Sequence, residues 1–281
     1  MNDRQSCSQP TRILLDNGIV THRSRMHWTR VPVPHPQSGF YPHKLLVAER
    51  LPPYPNPGFE AELEAIFTVG RLIRERKVEA FSSIELKSES FRDRLGGKPI
   101  DALAGCTIGM VPNPIERGKF VRAELGEFIR KGGKKDRLSG HSRTSQISFF
   151  RWLCQLGPEA AGRIVADRQT RGLSPFECES FAGLDWFRAM ARRLRSDENL
   201  PDAFYVWTAK RSSLDVFLTL DLRLVNAAAA IEREKSGFRL GVRVRSPIQL
   251  LADEGIDEPD PYPCEPGRQY TMAEIARLAP F

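Results

Sequence analysis

Residues 201–221 read PDAFYVWTAKRSSLDVFLTLD, and this stretch decides the fold. Its first half predicts a helix over 201–212, because a proline in the first turn and Asp202 beside the free N–H groups both suit a helix start. Its second half predicts a buried strand over 215–221, because a short apolar run there ends in an acid, Asp221. A helix followed at once by such a strand is typical of an α/β protein.

The sequence on either side repeats this alternation. Residues 12–16, RILLD, form a second apolar run that ends in an acid, Asp16, and Asn17-Gly18 then turns the chain. Further strands are predicted at 78–83 and 242–246, and further helices at 59–76, 84–94 and 224–235. The order predicts parallel βαβ units with right-handed crossovers, in a three-layer α/β fold with helices on both faces of the sheet.

Two segments depart from this alternation. Residues 22–58 hold eight prolines, so helix and central strand are both disfavoured, and we expect an extended arm lying on the fold. Residues 98–197 show helical periodicity without obvious strands, which predicts a helical insertion, with helices at 117–130, 142–156, 158–168 and 174–194. The main domain is then expected to consist of residues 1–97 and 198–281.

Composition narrows the class of protein. The net charge of +7 and the pI near 9.3 favour anionic partners such as nucleic acid. The five cysteines are scattered without a CxxC pair, so neither a disulfide framework nor a zinc ribbon is indicated. No apolar run approaches the roughly 18 residues of a membrane span, and the N-terminus lacks the apolar core of a signal peptide. We therefore expect a cytoplasmic protein without membrane contact.

Acidic residues occupy the positions where an open parallel sheet binds ligands. Asp16 and Asp221 are placed at the carboxyl ends of predicted strands, which share one edge of the sheet. Glu85 and Glu89 are one turn apart on a predicted helix and therefore face the same way. Each aspartate alone also has a structural explanation, since Asp16 suits a turn and Asp202 a helix start.

Three segments together resemble a known family. Residues 12–17 (RILLDN), 201–221 and 244–251 (VRSPIQLL) look like the successive motifs of PIN-domain nucleases. The resemblance implies an acidic site built from Asp16, then Glu85 or Glu89, then Asp202 and Asp221. Gly18 departs from the pattern, because the family often has Ser, Thr or Asn there.

The resemblance implies a metal-dependent ribonuclease that uses Mg²⁺ or Mn²⁺. Carboxylates are the hard ligands these ions prefer, and such ions activate water and stabilise the leaving oxygen in phosphodiester hydrolysis. The expected ligands are Asp16, Glu89, Asp202 and Asp221, with Glu85 as the alternative second acid. RNA is the expected partner, and an antitoxin-like or other protein partner is also compatible with the family. The alternative is a catalytically inactive PIN-like module that binds RNA or protein.

Other phosphate chemistries are not supported. A phosphatase of the haloacid dehalogenase type needs an Asp two residues after the first acid, where this chain has Gly18. No GxxxxGK[ST] loop is present, which excludes a P-loop NTPase.

A basic loop inside the insertion is a candidate RNA contact. Residues 117–151 contain ten Lys or Arg and three Asp or Glu. Within the run 130–137, RKGGKKDR, the candidate phosphate contacts are Lys131, Lys134, Lys135 and Arg137. The alternative is that the run is a solvated connector.

Overall fold

The computed structural model describes residues 9–33, 43–86, 98–120, 143–234 and 237–278. The strands are β1 (Thr11–Leu15), β2 (Met26–Val33), β3 (His43–Arg50), β4 (Val78–Ser83), β5 (Ile108–Val111), β6 (Val216–Leu218), β7 (Arg243–Arg245) and β8 (Gln269–Tyr270). The helices are α1 (Asn17–Thr21), α2 (Pro57–Arg74), α3 (Arg143–Gln155), α4 (Pro158–Ala166), α5 (Arg168–Arg171), α6 (Pro175–Ala182), α7 (Leu184–Leu194), α8 (Leu200–Arg211), α9 (Leu222–Arg233), α10 (Pro247–Asp253) and α11 (Met272–Leu278). Two 3-10 turns lie at Arg117–Lys119 and Asp197–Asn199.

Five strands form a parallel sheet in the order β5-β4-β1-β6-β7. From the central strand β1 the chain first builds one side of the sheet, with β4 and β5, and then the other side, with β6 and β7. Connections therefore leave in opposite directions beside β1, and in open α/β sheets the crevice at the carboxyl ends of such strands is where ligands bind. The predicted α/β class with a parallel sheet is confirmed.

Alternate residues of β1 pack on opposite faces of the sheet. Leu14 belongs to a core shared with α3, α7, α8 and α9, whereas Ile13 and Leu15 belong to a core shared with α2 and α10. All three side chains are fully buried, and each such burial contributes about 1.5–3 kcal/mol. A parallel sheet covered on both faces explains why its central strands β1 and β6 end in continuous apolar runs.

Helix α8 is buried on nearly all sides. Every residue from Ala203 to Ala209 is buried, and Phe204 stacks on Phe150 of α3 with ring centroids 4.5 Å apart. Trp207 stacks similarly on Phe187 of α7, at 5.3 Å. A helix that is apolar all round must be buried, so the block that decided the fold in the sequence forms the centre of one core.

The expectation of an extended arm at 22–58 was wrong. Strands β2 and β3 lie in this segment, and with β8 they form a second, antiparallel sheet in the order β2-β3-β8. Pro32 lies in β2, an edge strand of this sheet, and edge strands tolerate proline better than central ones. Helix α2 then begins at Pro57, capped by the side chain of Asn56.

The expectation that 98–197 holds no strand was also wrong. Strand β5 pairs with β4 at the edge of the parallel sheet, with Gly109 opposite Phe81. A Cβ on Gly109 would lie 2.8 Å from Cδ1 of Phe81, so the glycine that weakens the strand pattern allows the ring to pack there. The helices expected at 142–156 and 158–168 are confirmed by α3 and α4, whereas the single helix expected at 174–194 is divided at Gly183 into α6 and α7. Most of the helix expected at 117–130 lies outside the described residues.

The described ranges contain no helix that is both long and apolar enough to cross a membrane.

Candidate active site

A cleft of about 750 Å³ opens at the carboxyl ends of β1 and β6. Asp16, Asp202 and Asp221 all line it, although two of them are about 200 positions from the first in the chain. The parallel sheet explains this, because Asp16 directly follows β1 and Asp221 follows the adjacent β6. The structure therefore brings together the three aspartates that the sequence singled out.

Asp16 is fixed by contacts on both sides. Its Oδ1 accepts a hydrogen bond from the backbone N–H of Asn17 at 2.7 Å, which caps α1. Its Oδ2 accepts one from the hydroxyl of Thr219 at 2.7 Å, and its own N–H donates to the carbonyl of Leu218 at 2.9 Å. The turn role considered for Asp16 and a role in the cleft are thus compatible.

Asp221 is the N-cap of α9. Its Oδ1 accepts hydrogen bonds from the backbone N–H groups of Arg223 and Leu224, at 2.9 and 3.3 Å. Its own N–H donates to the hydroxyl of Thr219 at 3.1 Å. One buried hydroxyl therefore bonds to the side chain of Asp16 and to the backbone of Asp221, which ties the ends of β1 and β6 together.

Asp202 enters the cleft from the first turn of α8, directly after Pro201. A carboxylate there complements the positive end of the helix dipole. Tyr205 lies one turn further along α8 and lines the same cleft, because residues three apart share a helix face.

Glu85 lies beside the cleft, in a buried polar cluster. Its Oε1 is 2.8 Å from Nη2 of Arg117 and accepts a hydrogen bond from the amide of Gln146 at 3.2 Å. The same amide donates to the hydroxyl of Tyr205 at 2.7 Å. All four side chains are buried. Gln146 and Tyr205 line the cleft, whereas Glu85 is not among the described residues that line it. Glu85 therefore contacts the cleft through Gln146 and Tyr205.

The other predicted site residues cannot be placed in this way. Glu89 lies outside the described residues. So do the four basic residues predicted to contact RNA, which are Lys131, Lys134, Lys135 and Arg137.

Two arginines add positive charge to the cleft. Arg193 lines it from the last turn of α7, and Arg223 from the first turn of α9. The Nε of Arg223 is 3.9 Å from Oδ1 of Asp221. Carboxylates suit a hard divalent cation and guanidinium groups suit phosphate oxygens, so the cleft has partners for both.

The carboxylates are not preassembled around an ion. In the part of the chain that the structure describes, no three Asp, Glu, His or Cys side chains form a group that could hold a metal ion. The donor chemistry of Asp16, Asp202 and Asp221 nevertheless suits Mg²⁺ or Mn²⁺, which prefer carboxylate oxygens.

Sequence reasoning missed several residues of the cleft. Tyr205 was within reach, because it lies three residues after Asp202 on a predicted helix. Arg223 was also within reach, because it follows Asp221 by two residues at the same edge of the sheet. Gln146 and Arg193 had no comparable signal, since tertiary packing alone brings them to the cleft. Comparisons with protein-family models, with curated proteins and with solved structures found no match.

Proposed function

We propose that the chain is a metal-dependent ribonuclease of the PIN-like kind, which hydrolyses RNA phosphodiester bonds in this cleft with Mg²⁺ or Mn²⁺. One observation carries the proposal: Asp16, Asp202 and Asp221 come from separate elements and line a single cleft beside the central strand. That edge of an open parallel sheet is the usual ligand site of such folds.

Each aspartate has a role that follows from its setting. Asp16 and Asp221 are oriented by hydrogen bonds and would hold the cation together with Asp202. When bound, the cation supplies positive charge for the phosphate and lowers the pKa of water. One of the three carboxylates would accept the proton of the attacking water. Because the carboxylates repel one another, we expect them to converge fully only around a cation.

The state of Glu85 favours a second candidate function. The family resemblance implies four acids, but the charge of Glu85 is balanced by Arg117 in a buried ion pair. Besides the three aspartates, the cleft is lined by Glu198 from the turn before α8, so among the described residues none of its acids comes from the predicted helix 84–94. A PIN-like module that binds RNA or a protein partner without cutting RNA is therefore the alternative.

The test combines cation binding with RNA cleavage. Mn²⁺ binding is measured by calorimetry, and cleavage of single-stranded RNA is measured with Mn²⁺ or Mg²⁺ and with EDTA. The active-site variant is Asp16→Asn, which keeps the shape but loses the charge. The matched control is Asp185→Asn, because the side chain of Asp185 is 90% exposed on α7 and is not among the residues that line the cleft.

A ribonuclease should bind Mn²⁺ and cleave RNA, and both properties should be lost in Asp16→Asn and kept in Asp185→Asn. RNA binding without cleavage would support the alternative module. Cleavage that persists in Asp16→Asn or in EDTA would contradict the proposed site.

A further inference from the structure

Arg223 is an exposed cation at the edge of the cleft. Its side chain is 98% exposed, and its ion-pair partner is Asp221, at 3.9 Å from Nε to Oδ1. That distance exceeds a hydrogen bond, and exposed ion pairs of this kind contribute little. The guanidinium can therefore turn towards a ligand at small cost.

The position of Arg223 in its helix is electrostatically unfavourable. It is the second residue of α9, where the N-terminal N–H groups present positive charge. A cation in that turn is opposed by the helix dipole, and the acid that offsets this is the N-cap Asp221, whose carboxylate also accepts the backbone N–H groups of Arg223 and Leu224. Helix stability therefore gives little reason for an arginine here, whereas the guanidinium would attract a phosphate in the cleft.

Arg193, the other cation of the cleft, is used by the fold. Its Nε donates to Glu234 at 3.1 Å and its Nη1 donates to the carbonyl of Ala189 at 3.0 Å. Its guanidinium also lies 4.3 Å from the ring centroid of Phe238. Arg193 is thus held at the wall of the cleft, while Arg223 projects into solvent at its edge.

We propose that Arg223 is the phosphate anchor of the cleft: it binds an RNA phosphate next to the bond that the three aspartates act on. The proposal rests on the ribonuclease function and adds the residue that holds the substrate backbone. Guanidinium groups bind phosphate with two parallel hydrogen bonds, and a phosphate contact positions the strand without reading its sequence.

The test compares Arg223→Gln with Arg233→Gln. Both arginines are exposed and lie on α9, ten positions apart, which is about 15 Å along a helix. Binding of a single-stranded RNA is measured by fluorescence anisotropy over a range of salt concentrations in EDTA, where cleavage is blocked. Arg223→Lys is included because it keeps the charge but loses the two-bond geometry. Thermal unfolding checks that all variants are folded.

We expect Arg223→Gln to weaken RNA binding about 3- to 10-fold and to lower the slope of log Kd against log salt by about 0.7, the value for one phosphate contact on a single strand. Arg233→Gln should leave both unchanged, and Arg223→Lys should keep most of the slope. Equal slopes in Arg223→Gln and Arg233→Gln, or no RNA binding by the unmodified chain, would overturn the anchor.

Failure of the ribonuclease proposal gives a different pattern. If the unmodified chain binds RNA but never cleaves it, and Arg223→Gln lowers the salt dependence of RNA binding, then the phosphate anchor is present without the activity. Where cleavage does occur, Arg223→Gln should raise KM and leave kcat within about twofold, as expected when an interaction is equally strong in the ground and transition states.

Discussion

Replacing Thr219 by valine should loosen the junction between β1 and β6. Valine has nearly the same shape and the same β-branching, so the change removes the hydroxyl and little else. The hydroxyl donates to the carboxylate of Asp16 at 2.7 Å and accepts from the N–H of Asp221 at 3.1 Å. Thr219 is 1% exposed, so water cannot easily replace the missing group.

The magnitude follows from these two bonds. A hydrogen bond to a charged group contributes about 1.5–3 kcal/mol, and leaving a buried N–H unsatisfied costs about 1–3 kcal/mol. Together they predict that Thr219→Val lowers the free energy of unfolding by about 2.5–6 kcal/mol. Thr208→Val is the control, because Thr208 is also fully buried but its hydroxyl donates only to the carbonyl of Phe204. That neutral bond is worth about 0.5–1.5 kcal/mol.

The assay is urea unfolding followed by circular dichroism, together with Mn²⁺ titration. Thr219→Val should lose more stability than Thr208→Val, and it alone should bind Mn²⁺ more weakly, because Asp16 loses the contact that orients it. The reasoning is refuted if the two variants lose equal stability, since the bridge between the two aspartates would then contribute nothing beyond an ordinary buried hydroxyl.

Two further predictions concern buried carboxylates. Burial raises the pKa of Glu177, but hydrogen bonds, foremost from Lys119, outweigh this effect and hold the pKa below the ordinary 4.5. The stabilisation that Glu177 contributes is therefore present at neutral pH and is lost as the pH falls through the lowered pKa. Urea unfolding from pH 7 to pH 3 measures the difference in stability between the unmodified chain and Glu177→Gln, and this difference should shrink in acid. A constant difference would contradict the pairing. The control is Glu179→Gln, at an exposed site. Arg117→Met should destabilise the chain by about 3–5 kcal/mol, because it removes the counter-ion of the buried Glu85 carboxylate. Adding Glu85→Gln should restore part of that loss, and a double variant no more stable than the single one would argue against the ion pair.

The elements that the sequence predicted well are those whose apolar pattern is decided locally. The strand at 78–83 and the helix at 201–212 were found to within a residue or two. The helix contains the nearly continuous apolar run AFYVWTA at 203–209, and the strand VEAFSS contains no proline or glycine. Strand β5 was missed because four residues are too few for a period to show, and Gly109 interrupts them. Its glycine is explained only by Phe81 on the neighbouring strand, which sequence reasoning could not place.

The acidic site was predictable for the same reason that the sheet was. In a parallel sheet the carboxyl ends of all strands lie at one edge, so Asp16 and Asp221 were expected at the same edge once their strands were recognised. The strand order was not needed for that expectation, but it decides which strands are adjacent. Because β1 lies next to β6, Thr219 can contact both Asp16 and Asp221. The second acid could not be predicted in the same way, because the orientation of a short helix depends on what packs against it.

Glu85 shows how strongly the segment 98–197 takes part in the site. Its charge is balanced by Arg117, and it is bonded to Gln146, which lines the cleft; both partners belong to the segment that the sequence presented as an insertion. The same segment supplies Arg193 to the cleft wall and β5 to the sheet. Removing it would therefore leave a buried carboxylate without its counter-ion and an unpaired edge on β4. The helical segment is thus better understood as one wall of the cleft, whose lining residues come from both parts of the chain.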